Sequence, residues 1–242
     1  MNNIILNALL EAVQSGEPAV LATITRGPEL EVGKQFLFAR EREAVVENAE
    51  AALVAQLQAQ AQKLLGQERT ETLREGEREI FIESFCPRPK LVIVGAVHIA
   101  IPLVTFAKEL GFKVILIDPR RAFAAPERFP HVDELLARWP EAALAEAGLD
   151  ASTCLVVLTH DPKLDDPAVK IALQHAPAYI GVLGSRKTHE KRLQRLRAAG
   201  VAEEHLARLH APIGLAIGAL SPAEIALSIM AEIIAVRRGA QV

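Results

Sequence analysis

The sequence predicts an α/β chain: a mostly parallel sheet covered by helices on both faces, preceded by a smaller α+β unit. Three observations carry that expectation. From Lys90 onward, short apolar runs alternate with helical stretches, which is the grammar of βαβ units. Those runs lack polar alternation, so strands built from them must be buried on both faces. Ahead of Cys86 there is no such alternation, and the pattern is helix, two strands, long helix, strand.

Length and composition agree with this division. At 242 residues the chain corresponds to about 1.6 typical domains. It is 50% apolar and 24% charged, which excludes disordered, collagen-like and coiled-coil classes. Lys and Arg number 27 against 30 Asp and Glu, a net charge of −3 with no basic block. Electrostatics therefore gives no reason to expect a nucleic-acid or anionic-membrane partner, and a small molecule or a protein is expected instead. Cys86 and Cys154 lie far apart and neither is in a CxxC. That excludes a disulfide framework and a four-cysteine zinc site and suits a reducing compartment, so a cytoplasmic location is expected. No secretory signal is legible in Met1–Asn7. The apolar stretch Ile225–Val236 is interrupted by Ser228 and Glu232, is too short for a bilayer, and reads as a core helix.

Taken in order, an opening helix leads to two β-rich runs, Ala19–Thr25 and Leu30–Phe38. Arg26-Gly27-Pro28 between them predicts a hairpin. Val45, Val46, Ala49, Ala52, Leu53 and Leu57 recur at helical spacing, predicting a helix that ends at Leu64-Leu65-Gly66. A strand over Glu79–Glu83 follows, then Cys86-Pro87-Arg88-Pro89, a stiff connection that sets expected domains of 1–86 and 89–239. Beyond it, strands are predicted at Lys90–Gly95, Lys113–Asp118, Cys154–Thr159 and Tyr179–Gly184. A helix to Leu110-Gly111 follows the first, and helices over Asp166–Gln174 and Thr188–Ala199 follow the last two.

Gly95-Ala96-Val97-His98-Ile99-Ala100 comes directly after a strand and opens a helix. A dinucleotide site needs a glycine for the tight turn, a second so phosphate can approach the backbone, and a small third residue for helix packing. Gly95 and Ala100 meet two of those demands. Val97 fails the other, since its branched side chain is expected where pyrophosphate sits. Asp118, at the end of the next strand, is placed to accept from a ribose hydroxyl. The alternative is a βαβ turn that needs only a glycine and an aspartate that caps a loop. Three further segments follow strands: Asp118 with Arg120, Thr159-His160-Asp161, and Gly184-Ser185-Arg186-Lys187. Ligands of open parallel sheets bind beyond the carboxyl ends of the strands, so these segments converge on one edge. Ser185 and Thr188 are candidate helix caps, and Arg186 and Lys187 candidate partners of a phosphate, or else solvated cations. No HxxxH or HExxH pair joins His98, His160 or His210, so no metal site is expected. No GxSxG elbow occurs, which disfavours a stand-alone hydrolase. Cys86 is a possible sulfur carrier and Cys154 a buried strand residue, although inert structural cysteines are the commoner case.

From Leu91 to Gly239 the chain resembles the XdhC/CoxI family, accessory factors of xanthine dehydrogenase and related molybdenum hydroxylases. The resemblance rests on the glycine turn at Gly95, Ile117-Asp118-Pro119-Arg120, Glu127–Asp133, Leu158–Lys163, Gly181–Thr188 and His210–Leu215. It implies a Rossmann-like carboxyl-terminal domain and a maturation chaperone rather than an enzyme, with no catalytic residue designated. Such a protein binds the molybdenum cofactor, a molybdopterin, assists its sulfuration and inserts it into an apo-hydroxylase. A cysteine desulfurase and a second copy of the chain are further implied partners. The candidate cofactor-binding residues, drawn from the strand-end segments, are Gly95, Val97, His98, Ala100, Asp118, Arg120, Thr159, His160, Gly184, Ser185, Arg186 and Lys187. The chain departs from the family at Val97, where a second glycine is usual, and lacks the Gly-Gly-Cys segment usual in the amino-terminal domain. Two other readings stay open: an NAD(P)-dependent oxidoreductase, which Val97 disfavours, and a non-catalytic Rossmann scaffold.

Overall fold

The computed structural model describes residues 3–40 and 43–240. The chain divides into two compact units, one ending at Pro87 and the next beginning at Arg88.

The first unit comprises α1 (Asn3–Ser15), β1 (Ala19–Arg26), β2 (Gln35–Ala39), β3 (Val45–Val46), α2 (Ala51–Leu64), β4 (Thr70–Glu75) and β5 (Arg78–Phe85). Its antiparallel sheet has the order β3-β2-β1-β5-β4. Side chains alternate across a strand, and β1 shows why it is buried almost throughout. Ala19 and Leu21 pack with Ile5, Leu9 and Ala12 of α1, while Val20, Ala22 and Ile24 pack with Leu53, Leu57 and Ala61 of α2.

Three expectations for this unit are corrected. Val45 and Val46 are strand rather than helix, because they pair with Leu37 and Phe36. The second hairpin strand begins at Gln35 and not Leu30, since the Glu31 and Val32 amides turn back onto the Pro28 carbonyl. Strand β4 was not expected, and its charged run pairs with β5 from Thr70↔Glu83 to Glu75↔Arg78.

The second unit comprises β6 (Lys90–Val94), α3 (Ala100–Glu109), β7 (Lys113–Ile117), β8 (Glu134–Leu136), α4 (Pro140–Ala147), β9 (Thr153–Val157), α5 (Pro162–Gln174), β10 (Tyr179–Val182), α6 (Arg186–Ala198), α7 (Glu203–Leu206), β11 (Leu209–His210) and α8 (Pro222–Arg237). All its strand pairs are parallel, in the order β11-β10-β9-β6-β7-β8. Counted from β6, that is the 3-2-1-4-5-6 order of a doubly wound dinucleotide fold, whose direction reverses between β6 and β9. Alternation again sorts the core. Leu91 and Ile93 face the cluster with α3 and α8, whereas Val92 and Val94 face α4, α5 and α6.

Helix starts follow local capping. α5 begins at Pro162, ahead of the expected Asp166, because the Asp161 side chain accepts from the Lys163 N–H at 2.9 Å and proline suits the first helical position. α6 begins at Arg186, because Ser185 accepts from the Thr188 N–H at 3.2 Å. A reciprocal box between Ser221 and Glu224 starts α8. Among the described residues, no helix is long and apolar enough to cross a membrane.

Candidate functional site

Six segments leave the carboxyl ends of the parallel strands, and direct contacts chain four of them together. Gly95 follows β6 with a φ of +115°, and a Cβ there would stand 2.7 Å from Thr159 Cγ2. The loops after β6 and β9 therefore meet at the reversal of strand order, and glycine is required on two counts: its φ and this approach. The Ala96 N–H donates to Asp118 Oδ2 at 2.9 Å, joining the loop after β7. The Thr159 hydroxyl donates to Asp165 Oδ1 at 2.5 Å and accepts from the Asp161 N–H at 3.0 Å. Asp165 Oδ2 in turn accepts from Arg192 Nη2 at 3.3 Å, and the same nitrogen donates to the Leu183 carbonyl at 3.2 Å, which reaches the loop after β10.

Of the two expected roles of Asp118, the contacts in this structure are those of a loop brace. The carboxylate is 0% exposed and also accepts from the Arg120 N–H, Nε and Nη2 at 2.7–3.0 Å. It ties the glycine turn to Arg120 and presents no face to a ribose. Burial pushes the Asp118 carboxyl up, but the Arg120 guanidinium and the Ala96 and Arg120 amides outweigh it and hold the group below its usual range. Arg120, stacked 4.2 Å from the Phe123 ring centroid, is thereby fixed between an aromatic and a carboxylate.

The side chain of Val97 is half-buried and packs against the apolar cluster of the α3 and α8 face. Ala100 is buried at the start of α3. His98 is exposed, as is His160, which takes a φ of +61°. Gly184 (φ +148°) and Ser185 form the turn into α6, with Arg186 and Lys187 exposed in its first turn. The first amides of an α-helix have no intrahelical acceptor. This start therefore offers N–H groups and two cations together.

Sequence reasoning missed Arg128, Asp165, Arg192 and the Tyr179–His210–Glu232 group. Arg128 Nη1 donates to the Ala96 carbonyl at 3.2 Å and the Phe123 carbonyl at 2.8 Å, bracing the glycine turn from outside. Burial pushes the Asp165 carboxyl up, and the contacts from Thr159 and Arg192 only partly offset it. His210, at the end of the edge strand β11, stacks on Tyr179 with centroids 4.6 Å apart. Its Nδ1 stands 3.8 Å from Glu232 Oε1, and Glu232 Oε2 accepts from the Tyr179 hydroxyl and the Gly214 N–H. Burial pushes Glu232 up, but these partners together hold it below the usual carboxylate range. Arg192 was hidden because it sits in Arg-Lys-Thr-His-Glu-Lys-Arg, a run that reads as a solvated face. In the sequence His210 is weighed only as a metal ligand and as part of the motif that carries the resemblance, not as a partner of Tyr179 and Glu232. No group of three or more potential ligands among the described His, Cys, Asp and Glu could hold a metal ion.

A doubly wound parallel sheet whose loops converge at its switch point defines a Rossmann-type α/β protein. Residues 91–233 match the XdhC Rossmann domain, and the chain belongs to that family. It is 39% identical over 165 residues to the uncharacterized protein YqeB of Escherichia coli K12, covering 68% of this chain and 30% of that protein. It is 35% identical over 159 residues to a probable xanthine dehydrogenase subunit of Bacillus subtilis 168, covering 66% of this chain and 46% of that one. A third relative is the molybdenum cofactor insertion chaperone PaoD of E. coli K12, 37% identical over 95 residues, covering 39% of this chain and 30% of that one. The chain thus spans less than half the length of these relatives. A crystal structure of a xanthine dehydrogenase from Bacillus halodurans superimposes with a TM-score of 0.74 over 98% of this chain and 68% of that one. At 24% identity it speaks for the fold.

Proposed function

We propose that this protein is an accessory factor that binds the molybdenum cofactor at the strand-end rim and delivers it to an apo molybdenum hydroxylase. The observation that carries this reading is the turn into α6. A serine-capped helix start and two exposed cations lie at the carboxyl ends of a parallel sheet, in a family whose relatives include PaoD and the probable xanthine dehydrogenase subunit of B. subtilis. Molybdopterin ends in a phosphate, and helix amides with Arg and Lys suit that group. The turn into that helix start is made by Gly184 at a φ of +148°, a conformation that residues with a side chain rarely adopt.

On this reading His98, His160, Arg186 and Lys187 contact the ligand. Asp118, Arg120, Thr159 and Arg128 hold the loops in place. The cofactor supplies its molybdenum chemistry in the client enzyme, and this chain's residues bind, shield and release it. Sulfuration is assistance given to a cysteine desulfurase, and burial, which pushes the Cys154 thiol up to about 12, disfavours Cys154 as a sulfur nucleophile. A buried Asp118 disfavours the oxidoreductase alternative, whose ribose contact it was to supply.

The test is activation of an apo-hydroxylase with isolated molybdenum cofactor, comparing wild type with Arg186→Ala/Lys187→Ala. Two exposed cations cost folding within about 0.5 kcal/mol each. Each charge-assisted phosphate contact is worth roughly 1.5–3 kcal/mol, so binding falls by about a hundredfold or more if the two act independently. Wild type should activate the client and the folded double variant should not. Equal activation by both proteins, as a non-catalytic scaffold would give, overturns the reading.

A further inference from the structure

Arg192 is 1% exposed, and its Nε and Nη1 are buried without a hydrogen-bond partner. A buried guanidinium with orphan donors is costly unless something accepts from them. Its carboxylate partner does not remove that cost, because Asp165 takes only Nη2 and shares itself with the Thr159 hydroxyl.

The position of the guanidinium indicates where the acceptor belongs. Helical side chains lean towards the helix amino terminus, so Arg192, two turns into α6, carries its charge up beneath the first turn. There Nη2 reaches the Leu183 carbonyl. Nη1 lies 3.9 Å from the point where a Cβ on Gly184 would stand, and Gly184 is itself half-buried. The guanidinium thus lies against the inner side of this turn, within van der Waals reach of the space that a side chain at Gly184 would take. Above the same turn are the Arg186 and Lys187 amides, which lack intrahelical acceptors.

We propose that the turn Leu183–Thr188 and the guanidinium of Arg192 behind it form one phosphate subsite, taking a phosphate monoester or diphosphate group. A tetrahedral phosphate has enough oxygens to accept from the helix amides on its outer side and from an arginine fork on its inner side. Gly184 is then a specificity element as well as a turn. A Cβ there would crowd the inner side of the turn, 3.3 Å from Thr188 Cγ2 and 3.9 Å from Nη1. The subsite rests on the anion-binding part of the function proposed above, and makes Arg192 its interior contact.

The experiment titrates the full chain with pyrophosphate while observing arginine side-chain N–H signals and backbone amides by nitrogen-15 NMR. Arg192 signals should move and saturate with the same midpoint as the amides of Arg186 and Lys187. Arg192→Lys retains a cation for Asp165 but loses the fork, and should raise the Kd for pyrophosphate at least tenfold. Static Arg192 signals while the α6 amides saturate, or no pyrophosphate binding at millimolar concentration, overturn the subsite even if Arg192→Lys fails to fold. Hydroxylase activation is scored separately. Pyrophosphate on Arg192 without client activation would sink the delivery role and leave the subsite standing. Activation by a protein whose Arg192 ignores pyrophosphate would do the reverse.

Discussion

Asp118 accepts from four N–H groups although no part of it reaches solvent, so its contribution to folding depends on its charge. Its folded-state pKa lies below the ordinary value of 3.8. The stabilisation is therefore complete above that value and is lost as pH falls through the lower folded one. Asp118→Asn should cost about 2–3 kcal/mol at neutral pH, the worth of hydrogen bonds to a charged group. The gap between variant and wild type should narrow in acid, as measured by urea denaturation from pH 7 down to pH 3. A pH-independent gap would mean that the shape of the side chain, not its charge, holds the glycine turn. The position of Asp118 at a strand end was legible in the sequence, but its engagement was not. Arg120, only two residues on, folds back onto it, and both a ribose acceptor and a loop brace place an aspartate at that position.

Elements with a strong apolar period were the legible ones, and those made by pairing or capping were not. Strands β6, β7, β9 and β10 are continuous apolar runs, and the structure forms each within a residue or two of its expected span. Thr70-Glu-Thr-Leu-Arg-Glu has no such run. It becomes an edge strand only because β5 offers a ladder, with exposed and half-buried residues alternating along it. The short strands β8 and β11 likewise exist through register with β7 and β10. Caps can be tested directly on α6, the helix that carries the proposed site. Ser185→Ala removes the acceptor for the Thr188 N–H and should destabilise by about 1 kcal/mol. It should also weaken pyrophosphate binding, because a frayed first turn no longer aims its amides. Thermal melts and the same titration would read both effects. A lost cap with unchanged affinity would show that Arg186 and Lys187 bind as free cations rather than as part of a helix start.

At the scale of the molecule, the change of pattern after Cys86-Pro87-Arg88-Pro89 was readable, whereas strand order was not. The order depends on crossovers that carry the chain from β8 at one edge back to β9 beside β6, and no local residue pattern encodes that return. Each unit has its own core. The second closes two apolar clusters on the two faces of its sheet, and every strand-end segment of the candidate site lies within it. Residues 88–242 expressed alone should therefore fold cooperatively and bind pyrophosphate within about threefold of the full chain, since the same amides and guanidinium are present. Circular dichroism melts and the NMR titration check both points. A folded fragment that has lost pyrophosphate would mean that residues 1–87 complete the site. An unfolded fragment would mean that the α/β unit, despite its closed core, takes part of its stability from the unit before it.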